Sequence, residues 1–212
     1  MKKLFAILLF TLSCMVNEAQ TKYIINGKCQ IVISDKLEMQ DSELNDVEYL
    51  KSQGGVPQSI VKSKTNRIVF QQYGLNANMK TAFDKYCRLM VSYYKEDVNY
   101  PVYRHGERVT ITNDLIKSFY SSALIACDKN KTPLIKFNSP QALTINGFPA
   151  IYYSYKRKGY NGMQPPVIVN MYVIYNRYES AIVTFSYRET ERELWKDINN
   201  CIVSTFSFTK VY

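Results

Sequence analysis

The sequence predicts an α+β protein built on a mainly antiparallel sheet, and three observations carry that expectation. Ala181 to Tyr187 alternates, with Ala181, Val183, Phe185 and Tyr187 on one face and Ile182, Thr184 and Ser186 on the other, the period-two pattern of a strand. Val167 to Tyr175 is apolar on both faces, so it belongs inside a sheet covered on both sides. After Arg188 the period becomes helical, and along the chain helices and strands interleave without the βαβ rhythm of a parallel sheet.

Taken in order, Met1-Lys2-Lys3 followed by apolar Leu4 to Leu12 reads as an export signal too short for a good membrane span. Residues 1–19 are therefore expected to be a signal peptide cleaved after Ala19, and residues 20–212 a single domain. Thr11-Leu12-Ser13-Cys14 offers the alternative, a lipobox-like stretch that would make the product a lipoprotein through Cys14. Cys29 to Ser34 alternates and reads as the first strand. Leu44, Val47 and Leu50 at three-residue spacing suggest a short helix within Asp41 to Lys51, ended by Gly54-Gly55 and Pro57. Arg67 to Tyr73 and Ala82 to Lys95 read as further strands, followed by a polar loop to Arg108.

Asn113 is placed to cap a helix whose Leu115, Ile116, Phe119, Ala123 and Leu124 recur at helical spacing until Asp128-Lys129-Asn130 stops it. Leu134 to Asn138 returns to the sheet, and Ser139-Pro140 bends the chain. Ala150 to Arg157 is a strand, joined by the loop Lys158 to Pro166 to the apolar strand Val167 to Tyr175. Asn176-Arg177 then makes a tight antiparallel turn, since Asn tolerates left-handed dihedrals. Thr190 and Glu193 have the spacing of a capping box, and Leu194, Ile198, Cys201 and Ile202 form the inward stripe of the last helix, with Trp195 at its border.

The run Asn146-Gly147-Phe148-Pro149-Ala150, a long strand, a basic loop, an apolar strand, Tyr178 to Arg188, an acidic helix start with Trp195, and a closing Phe206-Ser207-Phe208 resembles the C-terminal half of PsbP-like domains. That superfamily includes an extrinsic photosystem II protein and exported bacterial proteins of unknown function. The resemblance extends over roughly residues 25–210. It implies an α/β/α sandwich, a central antiparallel sheet flanked by helices on both faces. It implies no activity, because one fold serves many functions.

The formal net charge is +9, and loss of Lys2, Lys3 and Glu18 with the leader leaves +8. Residues 20–61 hold four basic and six acidic side chains, so the positive charge lies in the remainder. Such a field suits an anionic surface or an acidic partner, although the cations are scattered rather than in runs. An exported chain has no nucleic acid to meet, and a transmembrane protein is not expected.

Several chemistries lack their residues. His105 is the one histidine, without a nucleophile-elbow or Cys-protease signature beside it, and it reads as an exposed loop residue. Paired-histidine zinc sites are excluded by count, and no metal or cofactor is expected. Cys29, Cys87, Cys127 and Cys201 contain no CxxC, each falls in an apolar stripe, and they read as buried thiols, with up to two disulfides of undetermined connectivity as the alternative. The acidic pairs Asp41/Glu43 and Glu191/Glu193 read as a solvated segment and a helix start. Gly54-Gly55 and Gly159/Gly162 lack the spacing of a phosphate loop.

The remaining signal is tyrosine, eighteen in all, interleaved with basic residues late in the chain. The candidate binding residues are Tyr153, Tyr155, Lys156, Arg157, Tyr160 and Arg177, since an aromatic body with a polar tip suits recognition surfaces. The expected function is that of an exported, periplasmic or secreted protein, a non-catalytic binding or accessory module for an envelope protein complex. Two alternatives stand beside it. An envelope hydrolase would show convergent polar groups around His105 or paired acids, and a carrier of a small apolar ligand a dry cavity; the binding module would show an exposed Tyr/Lys/Arg patch without a deep pocket.

Overall fold

A computed structural model describes residues 20–50, 59–78, 80, 85–95, 102–162 and 164–212. The expected signal peptide, Cys14, the Gly54-Gly55 and Pro57 stop, and the start of the Ala82 to Lys95 strand lie outside them. Among the described residues the strands form two sheets rather than one. The larger has the order β3 (Leu37–Met39), β6 (Arg67–Gln72), β7 (Cys87–Lys95), β11 (Glu179–Arg188), β10 (Val167–Asn176), β9 (Phe148–Arg157), β8 (Leu134–Ile145). Every neighbouring pair in it is antiparallel, and β9, β10 and β11 are the expected meander.

The smaller sheet runs β12 (Ser207–Phe208), β2 (Cys29–Ser34), β1 (Gln20–Ile25), β5 (Ser59–Ser63), β4 (Val47–Leu50), with β1 and β5 parallel. Cys29, Ile31 and Ile33 of β2 are buried on alternate positions, as their spacing predicts. They share the main core with Leu89 and Val91 of β7 and Val183 and Phe185 of β11, so much of the cover on this face of the larger sheet is a second sheet. The chain is α+β, but the single central sheet expected from the resemblance is replaced by two.

Two α-helices complete the described fold: α1 (Asn113–Lys129) and α2 (Arg192–Ser204). α1 buries Ala123 and Cys127 in a smaller cluster with Ile151, Tyr153 and Val169. α2 brings Trp195, Ile202 and Val203 into the main core, and Trp195 lies against Phe185 with ring centroids 6.2 Å apart. Successive residues of β9 alternate between the clusters, Ala150 in the main one and Ile151 in the smaller, because successive side chains leave a strand on opposite faces.

Five local expectations are corrected. The Thr190/Glu193 capping box does not form: residues Glu189–Glu191 make a 3-10 turn, and α2 starts at Arg192 without a side-chain cap. The inward stripe is rotated by about one residue, so that Trp195 and Asn199 are buried with Ile202 and Val203 while Leu194 is exposed. At α1 the cap is Thr112, whose hydroxyl accepts from the Leu115 N–H at 3.2 Å. Between β10 and β11 the turn residues are Arg177 and Tyr178, and Arg177, not Asn176, takes the positive φ of 59°. The expected helix at Asp41 is a 3-10 turn, Asp41–Asp46, leading into β4.

Candidate functional site

A cleft of about 610 Å³ opens where α2 leans over the larger sheet. Strand register arranges its floor in rows. Lys136, Lys156, Ile168 and Tyr187 are successive cross-strand partners on β8, β9, β10 and β11. The next row is Asn138, Ser154 and Asn170, and the third pairs Tyr152 with Tyr172. Rows are two residues apart, about 7 Å along the strands. The break between Asn138 and Gln141, at Ser139-Pro140, is a bulge on the edge strand, where proline is tolerated. From the helix, Arg192, Lys196, Asn199 and Asn200 line the same space. A recess of about 290 Å³ adjoins it through Leu143, Tyr172 and Asn200.

The floor is polar and mostly hydrogen bonded within itself. The Tyr152 hydroxyl donates to Asn170 Oδ1 at 2.9 Å, Asn199 Nδ2 donates to the Tyr172 hydroxyl at 2.8 Å, and Asn138 Nδ2 donates to Ser154 Oγ at 2.8 Å. The Tyr152 and Tyr172 rings lie 5.0 Å apart. Two amide atoms are left over: Asn170 Nδ2 and Asn199 Oδ1 are buried without a hydrogen-bond partner, on residues only 5 % and 4 % exposed. An unpaired buried polar atom costs about 1–3 kcal/mol, so each calls for an explanation.

The electrostatics are lopsided. Among the described residues, Lys136, Lys156, Arg192 and Lys196 line the cleft against one carboxylate, Glu189. Glu189 is engaged, since Lys156 Nζ lies 3.1 Å from its Oε1. Lys136 and Lys156 are directly opposite on neighbouring strands, an arrangement of like charges that costs stability. Burial pushes the Tyr172 phenol up to about 12, with the Asn199 hydrogen bond pulling the other way. Burial also raises Tyr187, opposed by the Asn170 amide, which approaches its oxygen without the geometry of a hydrogen bond, and by Arg192. These phenols are neutral hydrogen-bonding groups at physiological pH rather than bases.

The six residues singled out from sequence do not form one face. Lys156 lines the cleft. Tyr155 borders it, but Tyr155 and Tyr153 are buried in the smaller cluster, where Phe119 of α1 packs 4.6 Å from the Tyr153 ring, centroid to centroid. Arg157 follows on β9 and donates to the Lys158 carbonyl, while Tyr160 is 58 % exposed in the next loop. Arg177 sits beyond the far end of β10, roughly 30 Å from Ile168 at ~3.3 Å per residue, over the Tyr178 ring. The expected patch combined neighbours in sequence that period two sends to opposite faces. The exposed Tyr/Lys/Arg patch without a deep pocket expected of a binding module does not form; the cleft that does is built around neither His105 nor paired acids, which the hydrolase alternative requires.

The residues that sequence reading missed are Asn170 and Asn199. Both had a signal: Asn170 interrupts the apolar run Val167 to Tyr175, and Asn199 falls on the buried side once the helix is centred on Trp195. His105 lies outside the cleft. Its imidazole packs edge-on against Phe148 at 4.9 Å between centroids, and its Nε2 lies 3.2 Å from the Asn146 carbonyl oxygen. Asn146 and Gly147, with φ of 49° and 82°, are the two turn residues joining β8 to β9, and a Cβ at Gly147 would overlap the imidazole. His105 therefore braces a hairpin.

Cys29, Cys87 and Cys127 are buried thiols. Burial pushes Cys29 up to about 12 and also raises Cys87 well above the usual thiol range. Among the described residues no group of three or more His, Cys, Asp or Glu side chains could hold a metal ion, and no helix is long and apolar enough to cross a membrane.

The architecture defines an α+β class in which two sheets share a core and a polar cleft opens beside the last helix. Among solved structures the chain is similar to cyanobacterial PsbP from Synechocystis sp. PCC 6803, at 14 % identity and a TM-score of 0.50 over 93 % of this chain and 95 % of that one. It is also matched to LpqN, a protein involved in cell envelope biogenesis of Mycobacterium tuberculosis, at 13 % identity and a TM-score of 0.31 over 82 % and 83 % of the two chains. No protein-family model and no curated protein matches it. The fold is PsbP-like. A likeness at such identity extends to the fold and leaves function to the cleft.

Proposed function

We propose that the chain is an exported, non-catalytic binding module that serves as an accessory to envelope machinery, and that the cleft between the larger sheet and α2 is where it engages its ligand or partner. The observation that carries this reading is the chemistry of the cleft. Its lining combines cations, amides, hydroxyls and raised-pKa phenols, with Glu189 held by Lys156 and His105 elsewhere. Binding needs such groups to converge; hydrolysis needs a nucleophile with an adjacent base, or two opposed carboxylates. The basic leader followed by an apolar run supports export. A dry apolar carrier site is disfavoured by the polar floor.

The test uses the full chain in cells, with a photocrosslinking residue at exposed Asn200 on the cleft rim or, as a control, at exposed Tyr73. The reading predicts a processed protein beginning at Gln20 in the envelope or secreted fraction, and one discrete adduct from Asn200 that Tyr73 does not give. Retention in the cytoplasm with the leader intact would overturn export. Indistinguishable adducts from the two positions would overturn the cleft as the site of engagement.

A further inference from the structure

The cleft also limits what it can hold. Among the described residues, four cations and one already paired carboxylate line the cleft, which leaves Lys136, Arg192 and Lys196 facing the space. The directly opposed Lys136 and Lys156 repel one another, and an anion between them and Lys196 removes that repulsion. The basic groups come from β8, β9 and the first turns of α2, so they converge on one end of the cleft. Deeper in, the chemistry becomes neutral, with Tyr152, Tyr172, Ser154, Asn170 and Asn199.

The two unpaired amide atoms define the complement more closely. Asn170 Nδ2 is a donor and requires an acceptor; Asn199 Oδ1 is an acceptor and requires a donor. An inorganic anion held by the cations is too small to reach both amides as well, and an alkyl tail supplies neither a donor nor an acceptor. Hydroxyl groups supply both, and the half-buried Tyr152 ring, beside the buried Tyr172, adds apolar surface to the lining. A volume of about 610 Å³ is within the ordinary range for small-ligand sites.

We propose that this cleft binds a small organic anion that also carries hydroxyl groups, an acidic sugar being the simplest molecule of that kind, with its anionic group at Lys136, Arg192 and Lys196 and its hydroxyls at Asn170 and Asn199. The proposal rests on the reading of the cleft as a binding site and adds the class of ligand. Leaving a matched polar pair unmade is costly, so a ligand lacking either part is rejected by the same groups that hold the right one.

The experiment is calorimetric titration of the mature chain at low salt with D-glucuronate, D-galacturonate and D-glucose 6-phosphate, against D-glucose, D-glucosamine and inorganic phosphate. The acidic sugars are expected to bind, weaken as ionic strength rises, and lose at least tenfold in affinity in Lys136→Gln/Lys196→Gln, two exposed positions whose change leaves the fold intact. Asn199→Leu is expected to reduce the acidic-sugar affinity at least fivefold, with circular dichroism checking that it folds. Equal binding of D-glucose or D-glucosamine would overturn the anionic requirement while leaving a binding cleft in place. Equal binding of inorganic phosphate would overturn the hydroxyl requirement. Absence of acidic-sugar binding would overturn the proposal itself, and the Asn200 crosslink then reads separately whether the cleft engages anything else.

Discussion

If Asn170 and Asn199 are kept for a ligand, the protein is less stable than its core permits, and the excess is recoverable. In Asn199→Leu/Tyr172→Phe the 2.8 Å bond between the Asn199 amide and the Tyr172 hydroxyl disappears together with the buried, unpaired Asn199 Oδ1. Losing the bond costs about 1 kcal/mol net, because both partners go at once. Removing the unpaired acceptor returns about 1–3 kcal/mol, and leucine in a helix is better than asparagine by a few tenths. The double variant is therefore expected to be more stable by about 1–2 kcal/mol, equivalent to a rise in Tm of about 2–8 °C for a chain near this length. The single variant Asn199→Leu strands the Tyr172 hydroxyl and should fall below the double. Urea and thermal unfolding followed by circular dichroism measure both. A double variant destabilised by 1 kcal/mol or more would refute the reasoning, because the fold would then depend on the amide and no ligand would be needed to explain it.

Further outcomes follow from the same structure. Glu189→Gln removes the acid from the cleft and should tighten acidic-sugar binding several-fold, while costing less than about 1 kcal/mol because the Lys156–Glu189 pair is 30 % and 38 % exposed; calorimetry and urea unfolding read the two effects. Trp195→Ala should cost about 3–5 kcal/mol, since the side chain is 1 % exposed between Phe185 and the rest of the main core, and loss of the cooperative transition midpoint measures it. Alkaline stability should fall as pH rises from 10 through about 12: burial raises Tyr172 and Tyr155 from 10.0 to about 12, so the folded state holds those protons more tightly, with its stabilisation complete below pH 10 and lost above. Tyrosine absorbance at 295 nm followed with unfolding tests it, and free ionisation of all tyrosines in the folded protein would contradict it. Maleimide should leave Cys29, Cys87 and Cys127 unlabelled in the native protein and label them in denaturant.

The parts of the fold legible in the sequence were those with a strong local period. The β9–β10–β11 meander follows from alternation in Ala181 to Tyr187 and from the two-sided run Val167 to Tyr175, and β2 from the spacing of Cys29, Ile31 and Ile33. Partition into two sheets was not legible, because the parallel pairing of β1 with β5 joins segments far apart in sequence and leaves no local mark. β1 itself had a signal that went unread: Asn26-Gly27, at φ of 46° and 64°, turns it back onto β2.

At the cleft, Lys156 was legible as one cation among tyrosines. The partners that make it part of a site were not. Lys136, Asn170 and Arg192 reach it only through cross-strand register and the placement of α2, and a one-residue error in the helical stripe hid Asn199 behind Leu194. Tyr153 and Tyr155 lie in the smaller cluster, on the strand face opposite Lys156. Adjacent strand residues point to opposite faces, so Tyr152 and Tyr153 cannot belong to one surface.

The most direct measurement is the side-chain amide region of an ¹⁵N-resolved NMR spectrum during titration with D-glucuronate. The NH₂ resonances of Asn170 and Asn199, assigned by Asn170→Leu and Asn199→Leu, should move together and saturate at the affinity given by calorimetry, with the backbone amides of Lys156 and Lys196 following. Shifts confined to other parts of the protein, with those two amides unmoved at saturation, would contradict the claim that this cleft is where the protein binds.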